Sequence, residues 1–413
     1  MSFFPIKTST ACRLKWAWST IYLNSGETSS CHRASTSKLT KENFDSFHNT
    51  PSKIRARQEM LNGKWPGDGC EYCRDIEHSG GRSDRQFQLE IPDIYPTELN
   101  SDATLTQVQP SILEIFFDNT CNFRCVYCKA SISSSIQAEE GQWGTPIVEE
   151  IRKHERDHYR DLVPLFWSWM NQHGHSLKRL QVLGGEPFFQ PDFYKLLDYF
   201  ESNPNPVLEF NIVTNLHVPE ARLQEINKKL LRLLEIGAVG RIDIQASVDC
   251  WGPGQEYVRY GFDCETFERN LLMFMQHKKF RIGLLSTINS LTINEMPALV
   301  EKFKHWNNVQ TIFWYMHLVL PHDSSPFSPM IFDYSIFDES LNQVTKMLPN
   351  NNWDDAETIK IFTGIDKKIK NFAKTDITKQ QNLIKILNEI DRRRSLSWRK
   401  TFPWLEKETK NVV

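Results

Sequence analysis

Ile112-Leu113-Glu114-Ile115-Phe116-Phe117-Asp118-Asn119-Thr120-Cys121-Asn122-Phe123-Arg124-Cys125-Val126-Tyr127-Cys128 is the stretch on which the reading of this chain turns. Its first six residues are an apolar run rich in β-formers, the pattern of a buried strand. The polar loop that follows carries three cysteines at Cys-x3-Cys-x2-Cys spacing. Three thiolates on one loop can hold three irons of a cubane four-iron cluster and leave the fourth iron open. A structural zinc site is normally closed by four ligands, so three ligands suggest a shell that a substrate or cofactor completes. The alternatives are zinc that borrows a distant fourth ligand, and three loop thiols with no common role.

Outward from this loop the chain alternates between helix and strand. A Thr145-Pro146 pair starts a helix that runs to about Gln172. Strands are expected at Leu180–Leu183, Val207–Thr214, Arg241–Ser247, Arg281–Asn289 and Thr311–Leu320. The helices between them are Asp192–Phe200, Glu220–Ile236, Thr266–His277 and Glu295–Trp306. With the strand at 112–117 this makes six strands with intervening helices, the pattern of a partial parallel (β/α)6 barrel. In such barrels the site lies at the carboxyl ends of the strands.

Composition sets the outer limits. The 413 residues are 40% hydrophobic and 24% charged, the profile of a globular chain rather than a disordered one. The net charge of -2 provides no global field toward nucleic acid or a membrane surface. No run approaches the roughly 18 apolar residues of a membrane span, and Met1–Thr10 lacks the pattern of a signal peptide. A reducing cytoplasmic setting is therefore expected, where clustered cysteines bind metal or do chemistry more often than they pair.

The Cys-x3-Cys-x2-Cys loop after the first strand, with Tyr127 just before the last cysteine, resembles the signature of radical S-adenosylmethionine (radical SAM) enzymes. Gly184-Gly185-Glu186-Pro187 closes the second strand and resembles that family's GGEP motif. Thr214-Asn215 ends the third strand, similar to the family's Thr-Asn turn, and Ser247-Val248-Asp249 ends the fourth, with Arg259 on the following loop. The resemblance spans roughly Leu113 to Leu320 in the family's order. It implies that Cys121, Cys125 and Cys128 ligate a [4Fe-4S] cluster whose open iron binds S-adenosylmethionine. It further implies reductive cleavage of that cofactor to a 5′-deoxyadenosyl radical, which abstracts hydrogen from a substrate, with an electron donor such as a flavodoxin or ferredoxin. Tyr127 would lie near the adenine, and Gly184, Gly185, Glu186 and Pro187 would hold the methionyl amino group. Thr214, Asn215, Ser247, Asp249 and Arg259 would line the cofactor site. For these polar residues, strand-end capping is the ordinary alternative.

The first hundred residues stand apart from this pattern. Strand-formers at Trp16–Leu23, a turn at Asn24-Ser25-Gly26 and a second short strand ending at Cys31 read as a hairpin. A helix-like segment at Ser52–Leu61 precedes Gly69-Cys70-Glu71-Tyr72-Cys73. Cys12, Cys31, Cys70 and Cys73 could close a tetrahedral metal site or hold a second cluster. Their spacing resembles the twitch form of the SPASM auxiliary-cluster domains of radical SAM enzymes, which implies one auxiliary iron–sulfur cluster. One departure is plain: that domain usually follows the barrel, and here it precedes it. A zinc ribbon on the same four ligands is the alternative.

Three segments result: an auxiliary domain at 1–100, a barrel at 101–325 and a helical extension at 326–413, with a linker over Glu90–Thr104. Cys250 and Cys264 read as small buried hydrophobes. Trp314, Tyr315 and His317 are placed on the last strand, facing inward. The basic run Arg392-Arg393-Arg394 reads as a solvated helix end. Three functions are compatible with these readings. The first is a radical SAM enzyme acting on a peptide or protein side chain, as is common among members with this auxiliary domain. The second is the same chemistry on a small molecule such as a sugar or nucleotide, and the third is a non-catalytic zinc-binding barrel protein.

Overall fold

A computed structural model describes residues 8–78, 83, 85–86, 108–143, 147–320, 326–349 and 353–409. The expected linker over Glu90–Thr104 and the Thr145-Pro146 helix start lie outside the described residues. The described strands are β1 (Trp18–Tyr22), β2 (Glu27–Ser29), β3 (Ser37–Lys38), β4 (Ile112–Phe116), β5 (Arg124–Cys125), β6 (Arg179–Leu183), β7 (Asn205–Thr214), β8 (Val239–Ser247), β9 (Arg259–Tyr260), β10 (Arg281–Ile288) and β11 (Phe313–Leu318). All six strands expected from the hydrophobic pattern are present, separated by helices. The architecture is mixed α/β, and its strands are mostly parallel.

The chain forms two compact units, interleaved along the sequence rather than arranged as three consecutive segments. The first comprises Met1–Cys121, Ala130–Ile212 and Glu225–Asp243. Its strand order is β8–β7–β6–β4–β1–β2–β3. β4 pairs parallel with β6, and β6 with β7. β1 also runs parallel to β4, with Trp18 opposite Ile112 and Tyr22 opposite Phe116. The segment before the cysteine loop therefore extends the sheet of its own unit. Expected hairpin residues Trp16 and Ala17 instead end a helical turn, Leu14–Ala17, which packs with Cys12, Trp18, Met60 and Ile112 in one apolar cluster.

The helix Pro51–Leu61 begins with Thr50, whose hydroxyl accepts from Lys53 N, and with a proline whose missing N–H costs nothing there. Its polar composition conceals buried basic side chains. Lys53 Nζ donates to Ser19 Oγ at 2.9 Å, Thr28 Oγ1 at 2.8 Å and the Phe47 carbonyl at 2.7 Å. Arg57 donates to the His48 carbonyl at 2.6 Å and to Asn49 Oδ1. Each buried donor thus finds an acceptor, which is the condition for tolerating it. These bonds pin the helix to the β1–β2 hairpin.

Glu114, on β4, is buried and accepts from Thr20 Oγ1 at 2.6 Å. Burial holds its carboxyl above the usual range, and the Thr20 hydrogen bond only partly opposes this. The fold therefore favours the protonated form. Its contribution is fully present below the unfolded value of about 4.3 and is lost as pH rises through the folded value. Glu114→Gln keeps an acceptor for Thr20 and removes the buried charge. Thermal melting should show the variant at least as stable as the parent near neutral pH, with the advantage shrinking toward acid. A variant that melts lower at neutral pH contradicts this.

The second unit comprises Asn122–Lys129, Val213–Gln224 and Ile244–Val413. Its strands run β8–β10–β11, and β10 pairs parallel with β11 from Gly283–Phe313 to Ile288–Leu318. A separate antiparallel pair joins β5 to β9. Asp263 caps the helix Cys264–Met275 through Thr266 N at 2.7 Å. The tail is helical, with helices Ser335–Met347, Trp353–Phe372 and Ile377–Arg394 followed by two short ones. Among the described residues no helix is long and apolar enough to cross a membrane.

Candidate functional site

The most concentrated chemistry in the first unit is a pocket lined by Cys12, Cys31, Cys70 and Cys73 together with Lys15. Cys12 sits where the helical turn starts, its carbonyl accepting from Lys15 N at 3.1 Å. Cys31 follows β2. Cys70 precedes the helix Glu71–His78, and Cys73 lies in its first turn. The Cys31 and Cys70 loops are joined by Ser35 N donating to the Asp68 carbonyl at 2.8 Å. Gly69 makes this approach possible: its φ is +93°, and a Cβ there would stand 2.1 Å from the Arg33 carbonyl oxygen.

Burial pushes the Cys12 thiol up to about 12, with the Cys31 thiol adding to the effect. Cys70 is raised by burial and by Asp68, against an opposing pull from Lys15. Burial alone would lower Lys15, but Cys70 and Cys31, when ionised, and the Asp68 carboxylate outweigh it and raise the ammonium overall. Four thiols and one cation therefore share one electrostatic environment. Bare, the Cys12 and Cys70 thiols stay protonated at neutral pH, and metal binding would displace their protons. Among the described residues no group of three or more His, Cys, Asp and Glu side chains stands at metal-ligating separation. Four thiols lining one pocket match a thiolate metal centre in donor type.

The first unit also holds the start of the cysteine loop. Cys121 N donates to Ser134 Oγ at 3.1 Å, and the Cys121 carbonyl accepts from Ser135 Oγ at 2.6 Å. The Thr120 carbonyl accepts from Glu186 N at 2.7 Å. A Cβ on Gly185, at φ +57°, would stand 2.3 Å from that same carbonyl oxygen. The glycine pair with Gly184 thus lets the end of β6 lie against the backbone just before Cys121. Glu186 is fully buried, and its carboxylate accepts from Phe188 N at 3.2 Å, capping the short turn Pro187–Phe189. Gln190, which sequence reasoning passed over, links the Asp118 and Gly184 carbonyls through Nε2 at 3.1 and 2.7 Å.

Cys125 and Cys128 belong to the second unit. Cys125 pairs with Arg259 across β5–β9, and Cys128 N donates to the Cys125 carbonyl at 3.1 Å. Between them, Tyr127 donates its hydroxyl to Asp249 Oδ2 at 2.5 Å. Arg259 grips the same carboxylate with both Nε and Nη2 at 2.9 Å, and Thr287 N donates to Oδ1 at 2.7 Å. Burial alone would lower Arg259, but Asp249, Tyr127 and Cys125 outweigh it and keep it firmly charged. Asp249 and Arg259, expected from the resemblance to meet a cofactor, are thus engaged with each other and with the cysteine loop.

Asn215 also reaches this loop, donating to Asn122 Oδ1 at 2.8 Å, while Asn122 Nδ2 donates to the His217 carbonyl at 2.8 Å. Thr214 Oγ1 accepts from Leu216 N at 3.0 Å, an ordinary strand-end cap. Ser247 is buried at the end of β8.

The reading of the C-terminal basic run requires division. Arg392 and Arg393 pair with Glu389 on their own helix, as a solvated helix end would. Arg394 is different: it is buried, donates to the Arg124 carbonyl at 2.7 Å and stands over the Tyr260 ring. Arg124 lies over the same ring at 4.5 Å. Residues 270 apart in sequence thus brace β5, and no local signal announces it.

Along β11 Tyr315 and His317 are exposed, on the face opposite Trp314, Met316 and Leu318, which are buried together with Phe313. Trp314 donates to Ser286 Oγ at 2.8 Å. Cys250 is fully buried, whereas Cys264 is only partly so, and burial pushes its thiol up to about 11. No family model matches this chain, and no curated protein is found to be significantly similar to it.

Proposed function

We propose that this chain is a radical SAM enzyme on a partial (β/α)6 barrel, with an auxiliary iron–sulfur centre in its N-terminal cysteine pocket. Cys121, Cys125 and Cys128 would hold the first cluster, and Cys12, Cys31, Cys70 and Cys73 the second. The substrate class proposed is a peptide or protein side chain. The observation that carries this reading is the Cys-x3-Cys-x2-Cys loop immediately after β4, in a chain of alternating strands and helices. Bound together, an iron–sulfur cluster and S-adenosylmethionine supply reductive carbon–sulfur cleavage and hydrogen-atom abstraction.

The chain's own residues contribute position. Ser134 and Ser135 hold the backbone of Cys121, and the β9 pairing holds that of Cys125. Asp249 fixes Tyr127, which lies between Cys125 and Cys128. A loop restrained at these points loses less conformational entropy when its thiolates close on a metal.

The test is anaerobic reconstitution with iron and sulfide, followed by a strong reductant and S-adenosylmethionine. About eight irons per chain, with matching sulfide, are expected for two four-iron clusters. 5′-Deoxyadenosine should accumulate, and Cys125→Ala should abolish it. Product no greater than that of the Cys125→Ala protein refutes the proposal. Zinc without sulfide would favour the non-catalytic binding protein instead.

A further inference from the structure

Lys15 is a buried charge in the wall of the four-cysteine pocket. Its side chain is 2% exposed, and its Nζ lies 2.8 Å from Asp68 Oδ2. The other oxygen of Asp68 accepts from Cys70 Sγ at 3.3 Å. Lysine, carboxylate and thiol therefore form one chain that leads from the wall of the pocket to a candidate ligand. The remaining wall mixes apolar Leu14, Met60 and Trp65 with basic His32, Arg33 and Arg85.

Asp68 is partly exposed, but Lys15 is buried, and taking a charge out of water seldom stabilises a fold more than a well-packed apolar side chain would. The presence of Lys15 beside four cysteines calls for another reason. Four thiolates around a metal centre carry net negative charge, and an iron–sulfur centre gains one more negative charge on reduction. A fixed cation at the pocket wall stabilises the reduced form more than the oxidised one. Asp68 opposes this, and it also holds the ammonium in place.

Building on the functional reading above, we propose that Lys15, held by Asp68, is a positioning residue that raises the reduction potential of the auxiliary centre. The step is a one-electron reduction. The electron comes from an external donor of the flavodoxin or ferredoxin class, it resides on the centre, and Lys15 keeps its proton throughout.

The test uses the full-length chain carrying Cys121→Ala, Cys125→Ala and Cys128→Ala, so that only the N-terminal centre can load. Dithionite titration with mediator dyes, followed by EPR, reads the potential. Lys15→Met should shift it to more negative values, Asp68→Asn should shift it to more positive values, and Lys15→Arg should restore the parent value. Opposite shifts from two neighbouring substitutions are not expected of a merely structural pair. If Lys15→Met does not fold, Lys15→Gln takes its place, with the same shift to more negative values expected. Iron-loaded variants with unchanged potentials, or shifts of the reverse sign, overturn the role of Lys15 and leave the enzyme reading intact. Zinc without sulfide in the parent chain overturns the iron–sulfur reading of this pocket, and a redox role for Lys15 with it.

Discussion

Asp249→Ala is expected to destabilise the second unit by about 3–5 kcal/mol, the cost of stranding one partner of a buried ion pair. The carboxylate is fully buried and accepts from Tyr127, twice from Arg259, and from Thr287 N. Alanine removes all four acceptor contacts and leaves the guanidinium of Arg259 with little solvent to replace them. Asp249→Asn should cost less, because an amide oxygen can still accept from one partner. Tyr127→Phe should cost less again, since it deletes a single hydrogen bond to a charged group, worth about 1.5–3 kcal/mol. The order Asp249→Ala, Asp249→Asn, Tyr127→Phe is the decisive readout, taken from urea denaturation midpoints. An Asp249→Ala midpoint close to that of the parent would mean that the carboxylate does not bind this loop together.

The second large effect concerns the N-terminal pocket. A Cys70→Ala, Cys73→Ala double variant should lose about half of the iron that the reconstituted parent binds, if two four-iron clusters are present. The cluster proposed at Cys121, Cys125 and Cys128 would draw on none of these thiols, so reductive release of 5′-deoxyadenosine should persist. Turnover of the true substrate should fall sharply. Two groups of ligands separated by some fifty residues of sequence should therefore fail independently. The first unit should also melt lower, because metal-binding energy in a small thiolate site is partly folding energy. Iron and sulfide analysis with Mössbauer spectra of both proteins reads the result. A parent with only one cluster, or a double variant that also loses the loop cluster, contradicts two separable centres.

Much of this architecture was legible from local pattern alone. Alternating apolar runs and amphipathic segments located all six expected strands, with ends displaced by only a residue or two, because strand and helix periods are set by near neighbours in sequence. The same local reading misplaced Trp16 and Ala17, whose β-forming surroundings gave way to a helical turn packed against Met60. It also set the N-terminal segment apart, since nothing in residues 18–22 announces a parallel partner some ninety positions later in β4.

The candidate site divides along the same line. The sequence by itself determined which residues could ligate metal: three cysteines on one loop after a strand, and four more in the first hundred residues. The tertiary structure alone decided what surrounds them. It turned Asp249 and Arg259 toward each other and toward Tyr127, buried Glu186 as a cap, and placed Lys15 in the wall of the cysteine pocket. It also separated Arg394 from two neighbouring arginines of identical chemistry and set it against the backbone of Arg124. Ligand identity is a property of side-chain type and short spacing, which the chain carries locally. Ion pairing and burial depend on which distant segment the backbone brings near, and that is fixed only when the whole fold closes.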